Sequence, residues 1–375
     1  MTILHLMKND GSYWGKYQHS DYPKVYYDPF QSFIVDGIIY GYRVHVIPSR
    51  SNRPRENILP QSVELPVLTK EKSLLMRITR GEELCIPITG DRQILSDPND
   101  NPELHDLSKY EAVSIINKYS PTSLKSGNAH GVSIIAYPNL LQQTLTSIEP
   151  VTAVLITLKT ALRSILLENT NFTHLKAPLI FFNIGPSSGA TLNQLHAQAY
   201  LLPRLSGQLS YAYMEAYKQS KNQLKSCLAC LWSNKETLTD HLNQEINVKA
   251  LTVYEDKYLR LVMSNAPIRP MSLRIIPKRH IVWFGGSNDA ELESFAKALV
   301  TAHGLILKIS KGGSIQRRDR TIAFRHGVSI DEDFHFIIDI MPSIPLGGAE
   351  VIDSLTMSTI EAEVLVAKMK EMLNQ

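Results

Sequence analysis

The feature that most constrains this chain is an order of elements that occurs twice. A buried run, a proline, an amphipathic helix, a second buried run, a polar turn and a third buried run follow one another at about residues 131–203, and again at 272–342. In the first copy the runs are GVSIIAYP, LIFFNIG and HAQAYLLP; in the second they are MSLRIIPKRHIVWF, TIAFRHG and DFHFIIDIMP. These apolar runs read as strands. Between them, EPVTAVLITLKTALRSILLEN aligns Val151, Val154, Leu155, Leu158, Leu162 and Leu166 along one helical face. In the second copy SNDAELESFAKALVTAHGLILKIS opens with Asn288 as a cap and Glu291 three residues later, with Asp289 adding negative charge to the first turn. Residue identity between the copies is weak, so the duplication is one of element order. The expected fold class is α+β, with antiparallel sheets carrying helices on one face. YAYMEAYKQSKNQLKSC reads as a helix linking the copies, and a final helix is expected from MSTIEAEVLVAKM, where Ser358 and Glu361 have capping-box spacing.

A length of 375 residues exceeds one ordinary hydrophobic core, which also points to two domains or a fused repeat. Residues 32 to 57 alternate apolar and polar and read as strands ending in an arginine-bearing loop, whereas residues 89 to 108 carry breakers and read as a surface excursion. With Lys+Arg 39 against Asp+Glu 36, the net charge of +3 is no footprint for a nucleic-acid partner. The N-terminus lacks the basic start and apolar core of a signal peptide. No run of about 18 apolar residues stands out, which argues against a membrane partner. Three cysteines suggest a reducing compartment, so the expected location is cytoplasmic.

The stretch GATLNQLHAQ, residues 189 to 198, is polar where its flanks are apolar. On a strand, positions i and i+2 share a face, so Gln194, His196 and Gln198 project together. Upstream, Gly185, Ser187, Ser188 and Gly189 form a turn of small residues whose backbone N–H groups suit an anion, although such a turn is also an ordinary hairpin connection. Imidazole attacks a phosphorus centre when one ring nitrogen is unprotonated and the other is held by an acceptor. Gln198 can donate to a non-bridging oxygen while staying neutral at every pH. A buried, hydrogen-bonded histidine is the bland alternative.

FFNIGPSSGATLNQLHAQ resembles the active-site segment of the galactose-1-phosphate uridylyltransferase family, within the histidine-triad superfamily. VIPSRSNRPREN resembles that family's N-terminal arginine loop and INKYSP its Asn-Lys-aromatic-Pro element; CLACLWS, IIPKRHI, DFHFIIDIMP and GGAE follow in family order over about 300 residues. The resemblance implies two tandem histidine-triad-like repeats, 1–225 with the active-site histidine and 226–375. It also implies a homodimer and ping-pong transfer of a nucleoside monophosphate between a nucleotide-sugar and a sugar 1-phosphate or phosphate. It makes His196 the nucleophile and Gln198 its phosphate-binding partner, with Asn183, Ser187, Ser188 and Gly189 holding phosphates. Arg50 and Arg53 fall where the family contacts nucleotide, and Glu350 where it binds sugar hydroxyls. A dinucleoside polyphosphate or ADP-sugar phosphorylase is the alternative enzyme, and a non-catalytic nucleotide-binding relative the alternative class.

The chain departs from the family at its metals. A first-repeat zinc is expected to be absent, because Cys85 is followed by Ile88 in place of a second cysteine, Asn139 or Leu140 stands at one histidine position and Gln194 at the other. In the second repeat Cys227 and Cys230 have Cys-x-x-Cys spacing and His335 matches a ligand position. Lys257 and Ile337 fall where the remaining ligands are sought, so the site reads as incomplete: three ligands plus water, or a remnant pair. His280 reads as a structural or rim residue. No cofactor is expected for the chemistry itself.

Overall fold

The computed structural model describes residues 24–46, 85–86, 112–116, 130–136, 145–168, 174–190, 195–311, 319–343 and 347–374. A ten-stranded antiparallel sheet spans the chain. Its first five strands are β3 (Cys85–Ile86), β4 (Ala112–Ile116), β5 (His130–Ala136), β6 (Ala177–Ile184) and β7 (His196–Leu202). Its last five are β10 (Thr252–Glu255), β11 (Leu259–Val262), β12 (Leu273–Pro277), β13 (Arg320–Arg325) and β14 (Ile337–Pro342). The spatial order is β3-β4-β5-β7-β6-β13-β14-β12-β11-β10. Both sets of five thus share one internal order, and β6 meets β13 at the centre in antiparallel register, Phe181 opposite Ala323. The mixed α+β class read from the sequence is the one observed.

Each set carries one long helix, α1 (Ile148–Arg163) before β6 and α5 (Asp289–Lys311) before β13. The α1 stripe read from the sequence is buried at every position from Val151 to Leu166. By length and apolar content residues 148–167 form a helix able to cross a membrane. They form a core helix here, lying against β4, β5 and β7 and touching α5. This qualifies the expectation of no such run: half of the apolar segment is buried, against the sheet and the partner helix. Lys159 of α1 bonds to Asp289 Oδ1 at 2.6 Å at the start of α5. The α5 cap is reciprocal, as its sequence spacing indicated: Asn288 Oδ1 accepts the Glu291 N–H at 2.9 Å, and Glu291 Oε2 accepts the Asn288 N–H at 2.8 Å.

The linking helix α2 (Gln208–Leu224) is followed by α3 (Leu228–Asn234), the hairpin β8 (Thr237–Thr239) and β9 (Glu245–Asn247), and the single turn α4 (Val248–Leu251). The chain ends with α6 (Gly348–Asp353), β15 (Leu355–Ser358) and α7 (Ala362–Leu373). Ser358 does not cap α7. It closes β15 and bonds to Ile360 O, and Glu361 takes the position before the helix. Strand formation through Ser358 shifts the helix start beyond the capping-box register.

A second sheet holds β1 (Lys24–Val35), β2 (Ile38–Val46) and β15, with β15 parallel to β2. Asp36 and Gly37 both adopt positive φ and close the β1–β2 hairpin as a two-residue turn. The free edge of β1 is capped by two side-chain amides. Gln244 exchanges two hydrogen bonds with the backbone of Tyr27, and Gln219 exchanges two with Ile34. Each amide mimics a strand neighbour and stops another chain from adding there.

This hairpin is tied to the large sheet by a buried ionic network. Arg274 of β12 makes a two-pronged contact with Asp28 of β1 at 3.1 Å and bonds through Nε to Asp339 of β14 at 2.7 Å. Arg325 of β13 reaches Asp339 at 3.3 Å, and Tyr213 of α2 donates to Asp339 at 2.6 Å. Two guanidinium groups thus face two carboxylates. Burial opposes ionisation of Asp339, but Arg274 and Arg325 outweigh it and hold its carboxyl below the usual range.

Arg274→Met should destabilise the protein by about 3–5 kcal/mol in urea unfolding, because it leaves the buried Asp28 carboxylate without a cation and Asp339 with Arg325 alone. A depressed native pKa contributes stability above the unfolded carboxylate value of about 4, and that stability is lost as pH falls through the native value. Asp339→Asn should therefore be less stable than wild type near pH 7, with the gap closing as pH is lowered below about 4.

Candidate active site and metal centre

Strand β7 begins at His196, and its register places Gln198 opposite both Ser133 of β5 and Phe181 of β6. Asn183 lies two residues beyond Phe181 on β6, on the same strand face. Paired residues of an antiparallel ladder share a face, so His196, Gln198, Phe181 and Asn183 project from one side of the sheet. His196 is buried, whereas Gln198 and Asn183 are half-buried. The other face, carrying Ile180, Phe182, Ala197 and Ala199, is filled by the core. The alternation therefore aims this polar set away from the core.

The turn after β6 is a short 3-10 helix, Pro186–Ser188, between Gly185 and Gly189, both at positive φ. Its amides have partners. Ser188 N–H and Ala190 N–H bond to Gly185 O, and Gly189 N–H bonds to Pro186 O. Ser187 N–H donates to Asp319 Oδ2 at 2.6 Å. A Cβ at Gly185 would lie 2.0 Å from the other carboxylate oxygen, so glycine is required by contact as well as by φ. Asp319 stands just before β13, so the second half of the chain places a carboxylate on the turn expected to face phosphate. A phosphate takes the Ser187 N–H only by displacing it. No sequence signal marked Asp319, because its partner lies 132 residues away.

The other expected binding residues are placed differently. Glu350 lies on α6, where Oε2 accepts the Gly347 N–H at 2.6 Å and Oε1 accepts the Thr356 hydroxyl at 2.8 Å, next to the three-stranded sheet. Arg50, Arg53 and Gln194 lie outside the described residues, as do Ile88, Asn139 and Leu140.

The second-half metal site differs from its sequence reading. Cys227 precedes α3 and Cys230 sits in its first turn, which turns both thiols to one side. Cys227 Sγ is 3.4 Å from His335 Nδ1, and Cys230 Sγ is 3.3 Å from the same atom and 3.5 Å from His280 Nδ1. All four potential ligand atoms lie within 4.8 Å of one another. A tetrahedron with zinc–sulfur and zinc–nitrogen bonds has edges of about 3.6 Å, which these separations fit. The ring nitrogens pointing away are also engaged, His335 Nε2 with Pro277 O at 3.0 Å and His280 Nε2 with Asp333 Oδ1 at 3.2 Å. The hydrogen bond from Cys227, with His280 and His335 alongside, holds the Cys230 thiol well below its usual range.

The set therefore has the Cys₂His₂ composition of a four-ligand site that could hold a metal ion, with His280 the candidate absent from the sequence reading. Lys257 is exposed with its Nζ over the Tyr258 ring, and Ile337 is buried in the core, so neither position is needed. The overlooked signal was topological. β12 pairs with β14, so the residues after Pro277 and those before Ile337 meet at one end of the sheet.

By sequence, no known protein family and no curated protein matches the chain. By structure, it is similar to an ADP-glucose phosphorylase from Arabidopsis thaliana with bound ADP-glucose, with a TM-score of 0.67 and 16% identity over 94% of this chain and 99% of that one. It is also similar to a GalT-like protein from Arabidopsis thaliana, with a TM-score of 0.59 and 17% identity over 70% and 83%. A uridylyltransferase gives a TM-score of 0.59 and 18% identity over 71% and 85%. At these identities the likeness establishes the fold.

Asp319→Asn keeps an acceptor for the Ser187 N–H and removes the charge. Binding of inorganic phosphate by calorimetry should tighten about fivefold or more, the effect of one like charge removed near a surface. Unchanged affinity would mean that phosphate does not approach this turn. For the metal centre, elemental analysis should give one zinc per chain in the wild type, and His280→Ala should lose it under mild chelation.

Proposed function

We propose that the chain is a nucleotidyltransferase that moves a nucleoside monophosphate between a nucleotide-sugar and a sugar 1-phosphate or phosphate, by ping-pong through a covalent nucleotidyl-His196 intermediate. The observation that supports it most is the polar row on one sheet face: His196 and Gln198 on β7, with Asn183 on β6 two residues beyond Phe181, the partner of Gln198. A strand sets these two β7 side chains about 7 Å apart along one face, close enough for both to act on one phosphate.

In the first half-reaction an unprotonated ring nitrogen of His196 attacks the α-phosphorus of the donor. A P–N bond forms and the P–O bond to the departing sugar 1-phosphate breaks. In the second, an acceptor phosphate oxygen attacks the same phosphorus, the P–N bond breaks and the ring nitrogen recovers its electron pair. Gln198 donates to a non-bridging oxygen as charge redistributes. Asn183, Ser187, Ser188 and Gly189 hold the phosphates, and Arg50 and Arg53 reach the nucleotide. Glu350 accepts sugar hydroxyls by exchanging one of its present donors.

A second reading, an ADP-sugar phosphorylase that passes AMP to phosphate, is supported by the match over nearly the whole of the ADP-glucose phosphorylase, against 83% of the GalT-like protein. In both readings residues 1–225 and 226–375 are tandem histidine-triad-like repeats, and the protein is a cytoplasmic homodimer. The cluster of Cys227, Cys230, His280 and His335 holds a structural zinc. Bound there, the ion contributes folding energy by tying α3 to the ends of β12 and β14.

Nucleotide-sugars labelled in the α-phosphate should leave an acid-labile, base-stable adduct on the wild type and none on His196→Gly. Gln198→Ala should slow turnover about 10²–10³-fold. Transfer to inorganic phosphate rather than to a sugar 1-phosphate selects the phosphorylase. A wild type that no uridine or adenine donor labels would be a nucleotide-binding protein without this chemistry.

A further inference from the structure

We infer that Asp333 is the outer carboxylate of the metal centre, and that through it the centre is fastened to helix α2. The inference rests on the reading that Cys227, Cys230, His280 and His335 hold a metal ion. Each histidine turns Nδ1 toward the thiols and Nε2 toward an acceptor, but the acceptors differ. His335 is held by a backbone carbonyl of β12, which no substitution removes. His280 is held by a side chain, Asp333 Oδ1. An acceptor on Nε2 fixes the tautomer that leaves Nδ1 free to ligate, and a charged acceptor raises the basicity of that nitrogen more than a neutral one.

Asp333 is itself fixed. Tyr217 donates to Oδ1 at 3.2 Å, and Lys221 forms an ion pair with Oδ2. With both oxygens engaged, the carboxylate stays outside the ligand shell and orients His280. Both partners come from α2, one turn apart. The same helix places Tyr213 in the buried ionic network and Gln219 on the edge of β1.

Exposure decides which ligand matters for release. The His335 residue is 1% exposed, whereas the His280 side chain is 33% exposed and that of Asp333 55%. His280, with the partly exposed Cys230 beside it, thus forms the solvent-facing side of the set, and an ion leaves once that side opens. Charge agrees: two thiolates neutralise a divalent ion, and Lys221 offsets Asp333.

The test uses the full-length protein, loaded with zinc, in competition with a chromophoric chelator at fixed pH. Asp333→Asn retains an acceptor without charge, and Asp333→Ala removes both. Zinc affinity should fall about 10–100-fold, further for Ala than for Asn, with a smaller loss for Lys221→Ala. The cobalt-substituted forms should keep a four-coordinate thiolate spectrum. The metal-free proteins should melt together, while the zinc-loaded variants melt below the zinc-loaded wild type; an equal drop in both forms would mean a merely structural Asp333. A wild type that binds no stoichiometric zinc would overturn the metal reading. A wild type that binds one zinc, with Asp333 variants of equal affinity, would overturn the role of Asp333 and leave the metal reading intact.

Discussion

The guanidinium of Arg274 is the point on which the described structure depends. It is buried between carboxylates from the first strand and from β14, beneath the hydroxyl of Tyr213 and with its carbon 4.4 Å from the centre of the Phe30 ring. A lone buried cation would be too costly to keep, and each carboxylate is too costly without it. The charges are therefore satisfied only when the N-terminal hairpin, the second half of the large sheet and the linking helix are all in place. The network makes docking of these elements all-or-none, which an apolar patch of similar area, tolerant of sliding, does not.

That docking bears on the candidate chemistry through the sheet. β6 and β13 meet at the centre, so the strand bearing Asn183 takes its position from the second half of the chain. Asp319 enters the turn beside Gly185 by the same pairing. The Cys₂His₂ cluster lies at the far end of β12 and β14, and Asp333 links it to α2. The strand bearing Asn183, the glycine turn and the Cys₂His₂ cluster thus all depend on one sheet register. A slip of one residue between β6 and β13 would reverse the faces of one half relative to the other and separate all three.

Much of this was legible in the sequence for a local reason. The α1 stripe, the Asn288–Glu291 cap and the alternation of β6 and β7 each depend on residues within a turn or two of one another. His196 and Gln198 belong to the same class, since strand period alone puts them on one face. Where a local signal had two possible continuations, sequence reasoning chose wrongly. Ser358 has the spacing of a helix cap but completes a strand beside β2, a partner more than 300 positions earlier.

The sequence by itself determined the main core strands and the long helices and which of their faces are apolar, because periodicity and turn chemistry act over a few residues. Tertiary structure decided what depends on two distant segments meeting. It made His280 rather than Lys257 the partner of His335, gave the glycine turn a carboxylate from Asp319, and matched the buried Arg274 and the half-buried Arg325 to two aspartates. Those pairings follow from strand order, which a single chain does not spell out: β12 lies between β11 and β14, so it meets a strand about 60 residues later as well as its neighbour in sequence.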